Sequence, residues 1–214
     1  MKKHCFLFYL LVLSLAVTSG LSVAQEGFKV GWVNDGDTVV LTDGRHVRYI
    51  GINAPEIDHE NQNAEPYGYQ AKKYNEKLVL SKTVRLEFDK ERYDRYGRLL
   101  AYVFLPDGTF VNQAMIAQGY AYSLPIEPNI KYDKILLQSQ QDAMSAQTGI
   151  WREIDKKEGG CLGNRHSKRF HAAACPFGIG IGRTNRVFFK SKWDAFWAGF
   201  APCKRCMAGE IFAK

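Results

Sequence analysis

Residues 28–52 read FKVGWVNDGDTVVLTDGRHVRYIGI, and this stretch decides the fold. Phe28, Val30 and Trp32 alternate at period two until Asn34-Asp35-Gly36 breaks the run, and Thr38 to Leu41 resume it. Such alternation is the pattern of a half-buried strand. Asp43-Gly44 is a two-residue hairpin signal, because the tight turn needs positive φ at its centre, and a further strand from His46 to Ile52 follows it. Three strands so close together leave no room for crossover helices. They pair as an antiparallel meander, which argues against a doubly wound parallel sheet.

Downstream, residues 53–66 contain Pro55 and Pro66 and read as a loop. From Tyr67 to Leu80 the spacing becomes helical, with Ala71, Tyr74 and Leu78 on one face. Val84–Phe88 and Leu99–Leu105 read as strands, separated by the turn Asp94-Arg95-Tyr96-Gly97-Arg98. A short helix is expected over about 111–118, ended by Gly119. After a loop at 123–130, a longer helix spans about 131–147, with Ile135, Leu136, Ser139, Ala143 and Ala146 on its buried face. The class is mainly β with α: a five-stranded barrel of the OB type with three helices.

The chain has 214 residues, 46% hydrophobic and 24% charged, which excludes a disordered or fibrous protein. Lys2 and Lys3, the apolar run Phe6 to Val17, and small residues Ser22 and Ala24 before Gln25 make 1–24 a signal peptide. The apolar run is shorter than the roughly 20 residues of a membrane span. A secreted or periplasmic chain is therefore expected, without stable membrane association after cleavage, and a monomer. Residues 25–154 carry 15 Lys and Arg against 18 Asp and Glu, whereas 155–214 carry 12 against 4. Apart from Cys5 in the signal, the cysteines are Cys161, Cys175, Cys203 and Cys206. This divides the chain into a cysteine-free barrel domain at 25–154, a linker at 155–163, a small module at 164–207 and a tail at 208–214. The basic surplus of the C-terminal part suggests an anionic partner.

The chemistry-bearing residues sit at strand ends and loops. Asp35-Gly36-Asp37-Thr38 brings carboxylates to a turn, and hard oxygens on loops suit Ca²⁺ or Mg²⁺. Arg48 lies mid-strand and Arg98 opens a later strand; guanidinium groups clamp phosphate with a planar fork. Glu56, just beyond the Arg48 strand, can orient or deprotonate water beside a metal. Together they describe a phosphodiesterase site.

Asp35-Gly36-Asp37-Thr38, Arg48-Tyr49-Ile50-Gly51-Ile52-Asn53-Ala54-Pro55-Glu56 and Asp94 to Tyr102 also carry a resemblance. Over roughly residues 28–152 the chain resembles the staphylococcal-type thermonucleases. The resemblance implies a Ca²⁺-dependent nuclease acting on DNA and RNA and leaving 3′-phosphate ends. It implies Asp37 as a calcium ligand, Ala54 as a ligand through its backbone carbonyl, and Glu56 acting on the attacking water. It further implies Arg48 and Arg98 on the phosphate and Tyr96 near a nucleotide phosphate. The family's second carboxylate ligand falls at Asn53, whose amide oxygen brings no charge, and no tyrosine of the 123–130 loop matches the family's. Asp58, Glu60 and Glu65 could supply charge nearby. A non-catalytic single-strand binding barrel and a surface adhesion role are the competing readings.

In the tail, His171-x3-Cys175 and Cys203-Lys204-Arg205-Cys206 are two close pairs with 27 residues between them. They can form a Zn²⁺ site that contributes folding energy to a small module. The alternative is two disulfides, as the signal peptide sends the chain to an oxidising compartment. Residues 164–207 resemble the metal-binding module of bacterial alkylation-repair regulators, through Asn185 to Phe189, Ala198-Gly199-Phe200 and Pro202 to Cys206. That resemblance puts His171 at the first of four ligand positions and leaves Cys161 without one; Cys161 could replace His171 or pair with another cysteine.

Overall fold

A computed structural model describes residues 27–58, 63–154, 156 and 159–207. The signal segment, Glu60 and the final tail at 208–214 lie outside the described residues. Strands β1 (Phe28–Val33), β2 (Thr38–Leu41), β3 (His46–Tyr49), β5 (Thr83–Glu87) and β6 (Leu99–Phe104) close into a barrel in the order β1-β2-β3-β6-β5. A short pair, β4 (Ile52–Asn53) with β7 (Tyr122–Ser123), lies outside it. The expected meander is present: β1 to β3 pair antiparallel, and Gly44 takes the positive φ that the Asp43-Gly44 turn requires. Closure comes from β3 and β6, which run parallel.

The β1 alternation does not run as read. Val30 faces Leu41 while Trp32 faces Val40, so one extra residue bulges into β1. The bulge reverses the inward face beyond it. Val30 and Val33 are both buried, and Trp32 is 57% exposed.

Three helices cover the barrel: α1 (Gly68–Val79), α2 (Val111–Ala117) and α3 (Asp133–Ser145). On α3 the buried face is Leu136, Ser139, Gln140, Ala143 and Met144. Ile135 and Ala146, expected there, are exposed. The shift has a cause: α3 packs against two bodies, the barrel domain through α2 and the C-terminal part through a further helix, α5 (Lys192–Trp197). Gln140 lies between them. Its Oε1 accepts the Ser123 N–H at 2.7 Å, and its Nε2 donates to the Phe196 carbonyl at 2.6 Å.

The C-terminal part is a four-stranded sheet of β8 (Cys161–Asn164), β9 (Arg169–Ala172), β10 (Arg186–Phe189) and β11 (Ala201–Pro202), ordered β10-β8-β9-β11, with α4 (Pro176–Ile179) and α5. Cys161 to Gly163, expected in the linker, form most of β8. The C-terminal part shares its core with the end of the barrel domain: Met144, Ile150 and Trp151 bury together with Phe170, Phe196 and Phe200. Trp151 meets Phe196 edge to face at 5.1 Å.

Candidate active site

The parallel β3–β6 pairing aligns the two arginines. Arg48 stands opposite Leu100, and Arg98 precedes Leu100 by two residues, so both point to the same side of the wall. The turn before β6 fixes Arg98. Asp94 Oδ1 accepts the N–H groups of Tyr96 and Arg98, and Asp94 Oδ2 accepts Arg98 Nε at 2.7 Å. Burial raises the Asp94 pKa, but the bonds from Arg98 and from the turn N–H groups outweigh this and hold the carboxyl below its ordinary value. Arg98 lines the cleft with its Nε already occupied.

The Asp35–Thr38 turn is packed from within. A Cβ on Gly36 would collide with the Ala54 methyl and approach Ala71 to 2.8 Å, so only glycine lets the turn reach both. Asp35 Oδ1 accepts the Asp37 N–H at 2.9 Å. Asp37 is buried; its Oδ2 accepts the Ala54 N–H at 2.7 Å and pairs with Arg48 Nη2 at 3.0 Å. Arg48 is almost saturated, since it also donates to the carbonyls of Tyr49 and Ile52 and to Asn53 Oδ1. Asn53 donates in turn to the Ala54 carbonyl and to the Tyr122 hydroxyl, each at 3.0 Å. Asn53 therefore acts here as a hydrogen-bonding hub, with its oxygen turned to Arg48 rather than open.

Burial and the neighbouring Asp37 carboxylate push Asp35 up to about 7, despite the opposing Asp37 N–H and Arg48 charge. Burial is the largest part of that rise, and the Asp37 and Glu56 charges add to it. Asp35 and Asp37 on one turn, with Ala54 hydrogen-bonded to Asp37, offer hard oxygens of the kind Ca²⁺ takes. Asp35, quoted in the motif but not singled out as a ligand, places a second carboxylate beside Asp37, where Asn53 brings only an amide.

Glu56 is half-buried, and helix α1 holds its backbone. A Cβ on Gly68, the first residue of α1, would collide with the Glu56 carbonyl. Glu56 Oε1 lies 3.4 Å from Lys204 Nζ. The cleft beside it, about 510 Å³, is lined by Arg48, Asn53, Tyr96 and Arg98, and also by Arg169 and Lys204 from the C-terminal part. Tyr96 is 68% exposed at the rim, under the Arg98 guanidinium. Asp37, Asn53, Ala54 and Arg48 thus meet in one network; Arg48 and Asn53 share the cleft with Arg98 and Tyr96, whereas Asp37, Ala54 and Glu56 do not line it and Glu56 reaches it through Lys204. Asp58 hydrogen-bonds Tyr69, and Glu65 bonds the Glu56 backbone; neither belongs to the acidic turn. The sequence reading missed Tyr93, Arg95, Arg169 and Lys204 in the cleft wall. Arg95 lies within the quoted turn and Tyr93 adjoins it, so both could have been found there. Arg169 and Lys204 arrive through tertiary packing, which leaves no local signal.

The second constellation is compact. The ligand atoms of His171, Cys175, Cys203 and Cys206 all lie within 4.8 Å of one another, with three of the residues buried. His171 Nδ1 and Cys175 Sγ are 3.6 Å apart. Burial and the nearby Arg169 charge hold His171 below its usual range, which keeps the imidazole neutral and able to ligate. Burial and crowding by the neighbouring thiols push Cys206 up to about 12. For Cys175, burial raises the thiol, but bonds from the Gly178 and Phe177 N–H groups and from the Cys206 and Cys203 thiols bring it below its ordinary value. Three soft sulfurs and one imidazole in a tetrahedral-sized cluster fit Zn²⁺. Cys161 takes neither role considered for it. It is buried in β8, where its thiol faces the Ser191 carbonyl at 3.6 Å, outside the cluster. Three clustered cysteines can make one bridge at most, so the two-disulfide arrangement does not fit this geometry.

The family model for staphylococcal nuclease homologues matches residues 46–153, from β3 to just past α3. The thermonuclease of Staphylococcus hyicus is 38% identical over 138 residues, which is 63% of this chain and 81% of that protein. The thermonuclease of Staphylococcus intermedius is 39% identical over 136 residues, 62% of this chain and 80% of that one. Endonuclease YncB of Bacillus subtilis (strain 168) is 42% identical over 122 residues, 55% of this chain and 57% of that one. The family match ends before β8, so the likeness of 164–207 to the alkylation-repair module stands on its residues alone.

Proposed function

The chain belongs to the staphylococcal nuclease family and is a phosphodiester-hydrolysing nuclease; from that premise we propose that it is a Ca²⁺-dependent endonuclease of DNA and RNA leaving 3′-phosphate ends. The observation that carries the finer reading is the pair of aligned guanidinium groups, one of them salt-bridged to the Asp35–Asp37 turn through Asp37. That arrangement suits a doubly charged cation and a phosphate side by side. Asp35, Asp37 and the Ala54 carbonyl would hold the calcium, with Asn53 adding its amide oxygen where Arg48 releases it. When bound, calcium neutralises charge on the phosphodiester and polarises it toward attack.

Arg98 is the freer clamp, because Asp94 orients it through Nε and leaves the fork for phosphate oxygens. Arg48 is shared between the acidic turn and the cleft. Glu56 takes or directs the proton of the attacking water. The water oxygen bonds to phosphorus, the bond to the 5′-oxygen breaks, and that oxygen leaves with a proton. The products are a 3′-phosphate and a 5′-hydroxyl. Tyr96 at the rim offers a stacking face and a hydroxyl to the nucleotide.

The Cys/His cluster holds structural zinc in this reading, supported by its donor set. The pattern of residues 1–24 supports export to a secreted or periplasmic location, and no helix of the described residues is long and apolar enough to cross a membrane. Digestion of plasmid and RNA in calcium-free buffer, then with Ca²⁺ or Mg²⁺ added, with end-group analysis of the products, tests this. Cleavage unaffected by calcium, or products bearing 5′-phosphates, would overturn it.

A further inference from the structure

We propose that the Cys/His cluster serves as the mount of a substrate-binding arm, in which Lys204 and Arg169 form the second bank of the nuclease cleft and grip the nucleic-acid backbone beside the scissile phosphate. This rests on the nuclease site described above.

Lys204 lies inside the Cys203–Cys206 loop, so two of the four clustered residues flank it. Its Nζ reaches Glu56 at 3.4 Å across 148 residues of sequence. Three further tethers hold the loop. Strand β11 pairs with β9, the Cys203 N–H donates to the Phe170 carbonyl at 2.8 Å, and Arg169 Nη1 donates to the Pro202 carbonyl at 2.9 Å. A flexible lysine is thus carried on a short, fixed loop.

Lys204 does not need Glu56 for its position. The ion pair is exposed, with 65% of the lysine side chain open to solvent, and such pairs contribute little. A phosphate entering the cleft can take the ammonium and release Glu56 for the water. Arg169 meanwhile lies close enough to feel the Arg48 charge, and both line the cleft. Along that cleft Arg48, Arg95, Arg98, Arg169 and Lys204 outnumber Glu91, Asp94 and Glu127, which favours an anion there. A second cleft continues this bank. It shares Ile126, Glu127 and Arg169 with the first and adds Arg165 and Lys168 from the β8–β9 turn, which with Arg169 outnumber Glu127 and Asp133 in its wall. The cationic bank therefore extends past the reacting centre, as a polynucleotide requires and a single nucleotide does not.

The test measures steady-state cleavage of a single-stranded oligonucleotide in Ca²⁺, across a salt series, with the full chain. Lys204→Ala is expected to raise KM about 3- to 10-fold, with most of the loss in KM rather than kcat. It should also reduce the slope of log(kcat/KM) against log salt by about 0.7, the share of one phosphate contact on a single strand. Arg183→Ala removes an exposed charge of the same C-terminal part that lines neither cleft, and should change neither quantity. In a Cys206→Ser background, which loosens the mount, the added effect of Lys204→Ala should disappear. Unchanged KM and slope for Lys204→Ala, or an equal loss from Arg183→Ala, would overturn the arm. Full additivity with Cys206→Ser would overturn the role of the cluster as its mount. Arg98→Lys run in parallel reports on the nuclease site itself: a normal rate there sinks the site reading, whereas a lost rate with an inert Lys204 sinks only the arm.

Discussion

Arg98→Lys separates charge from geometry at the cleft. The native guanidinium is held through Nε to Asp94 at 2.7 Å, and Arg98 lines the cleft. A lysine keeps the charge, but its single nitrogen must choose between Asp94 and the phosphate. Each hydrogen bond to a charged group contributes about 1.5–3 kcal/mol. Removing one preorganised donor from a transition-state site costs about 2.7–4 kcal/mol, or roughly 10²–10³ in kcat. The folded state should barely register the change. The Arg98–Asp94 pair is about one-third exposed on the arginine side, and pairs of this kind contribute about 0–1 kcal/mol. For a chain of this size that corresponds to a melting shift of about 2–4 °C at most. The assay is the initial rate on denatured DNA in saturating Ca²⁺, beside a thermal melt followed by circular dichroism. A rate within threefold of the native chain, with an unchanged melt, would refute the argument that the fork acts on the transition state.

Asn53→Asp should lower the Ca²⁺ concentration for half-maximal activity by about tenfold, because it adds a charged oxygen beside Asp37. It also withdraws the N–H that now covers the Ala54 carbonyl; a titration shifted to higher Ca²⁺ would refute this. Gly68→Ala should push the Glu56 carbonyl aside and cost about 1–3 kcal/mol of stability together with turnover, read from melts and rates on one preparation. An unchanged melt and rate would mean that the close approach is not enforced. Protein isolated from its native compartment should carry about one zinc per chain and lose it in acid, as thiolates and imidazole take protons. Elemental analysis finding no metal, together with one disulfide among Cys175, Cys203 and Cys206, would refute the zinc site.

The barrel was legible because its signals are local. Turn residues at Asp43-Gly44 and alternation on both sides define β2 and β3 without reference to the rest of the chain. The same logic failed in β1, where a bulge changes the parity that alternation assumes, and Trp32 turns outward. It failed on α3 for a different reason. Periodicity finds one buried stripe, whereas α3 has two partners, and Gln140 is buried because both ends of its amide find backbone groups. The union of Arg48 with Arg98 rests on the parallel pairing of Arg48 with Leu100, a contact distant in sequence that spacing alone does not encode. It was expected from family resemblance. In the C-terminal part, the paired spacing of His171-x3-Cys175 and Cys203-x2-Cys206 announced a cluster, and Cys161 was harder to read because a buried thiol and a ligand thiol look alike in sequence.

The two parts of the chain are joined at the site as well as in the core. Asn53, in the acidic network, donates to the Tyr122 hydroxyl, and the Tyr122 ring meets Phe196 of α5 at 5.5 Å. Glu56 meets Lys204 directly. Deleting 155–214 would therefore do more than remove a surplus of positive charge. It would open Met144 and Trp151 to water, leave the buried Gln140 amide without the Phe196 carbonyl, and release the ring that backs Tyr122. An unmet buried amide costs about 1–3 kcal/mol by itself. Weaker nucleic-acid binding by such a fragment would not distinguish a lost grip from a loosened barrel. Lys204 is exposed and packs into neither core, so a substitution there changes the grip while leaving the shared core intact.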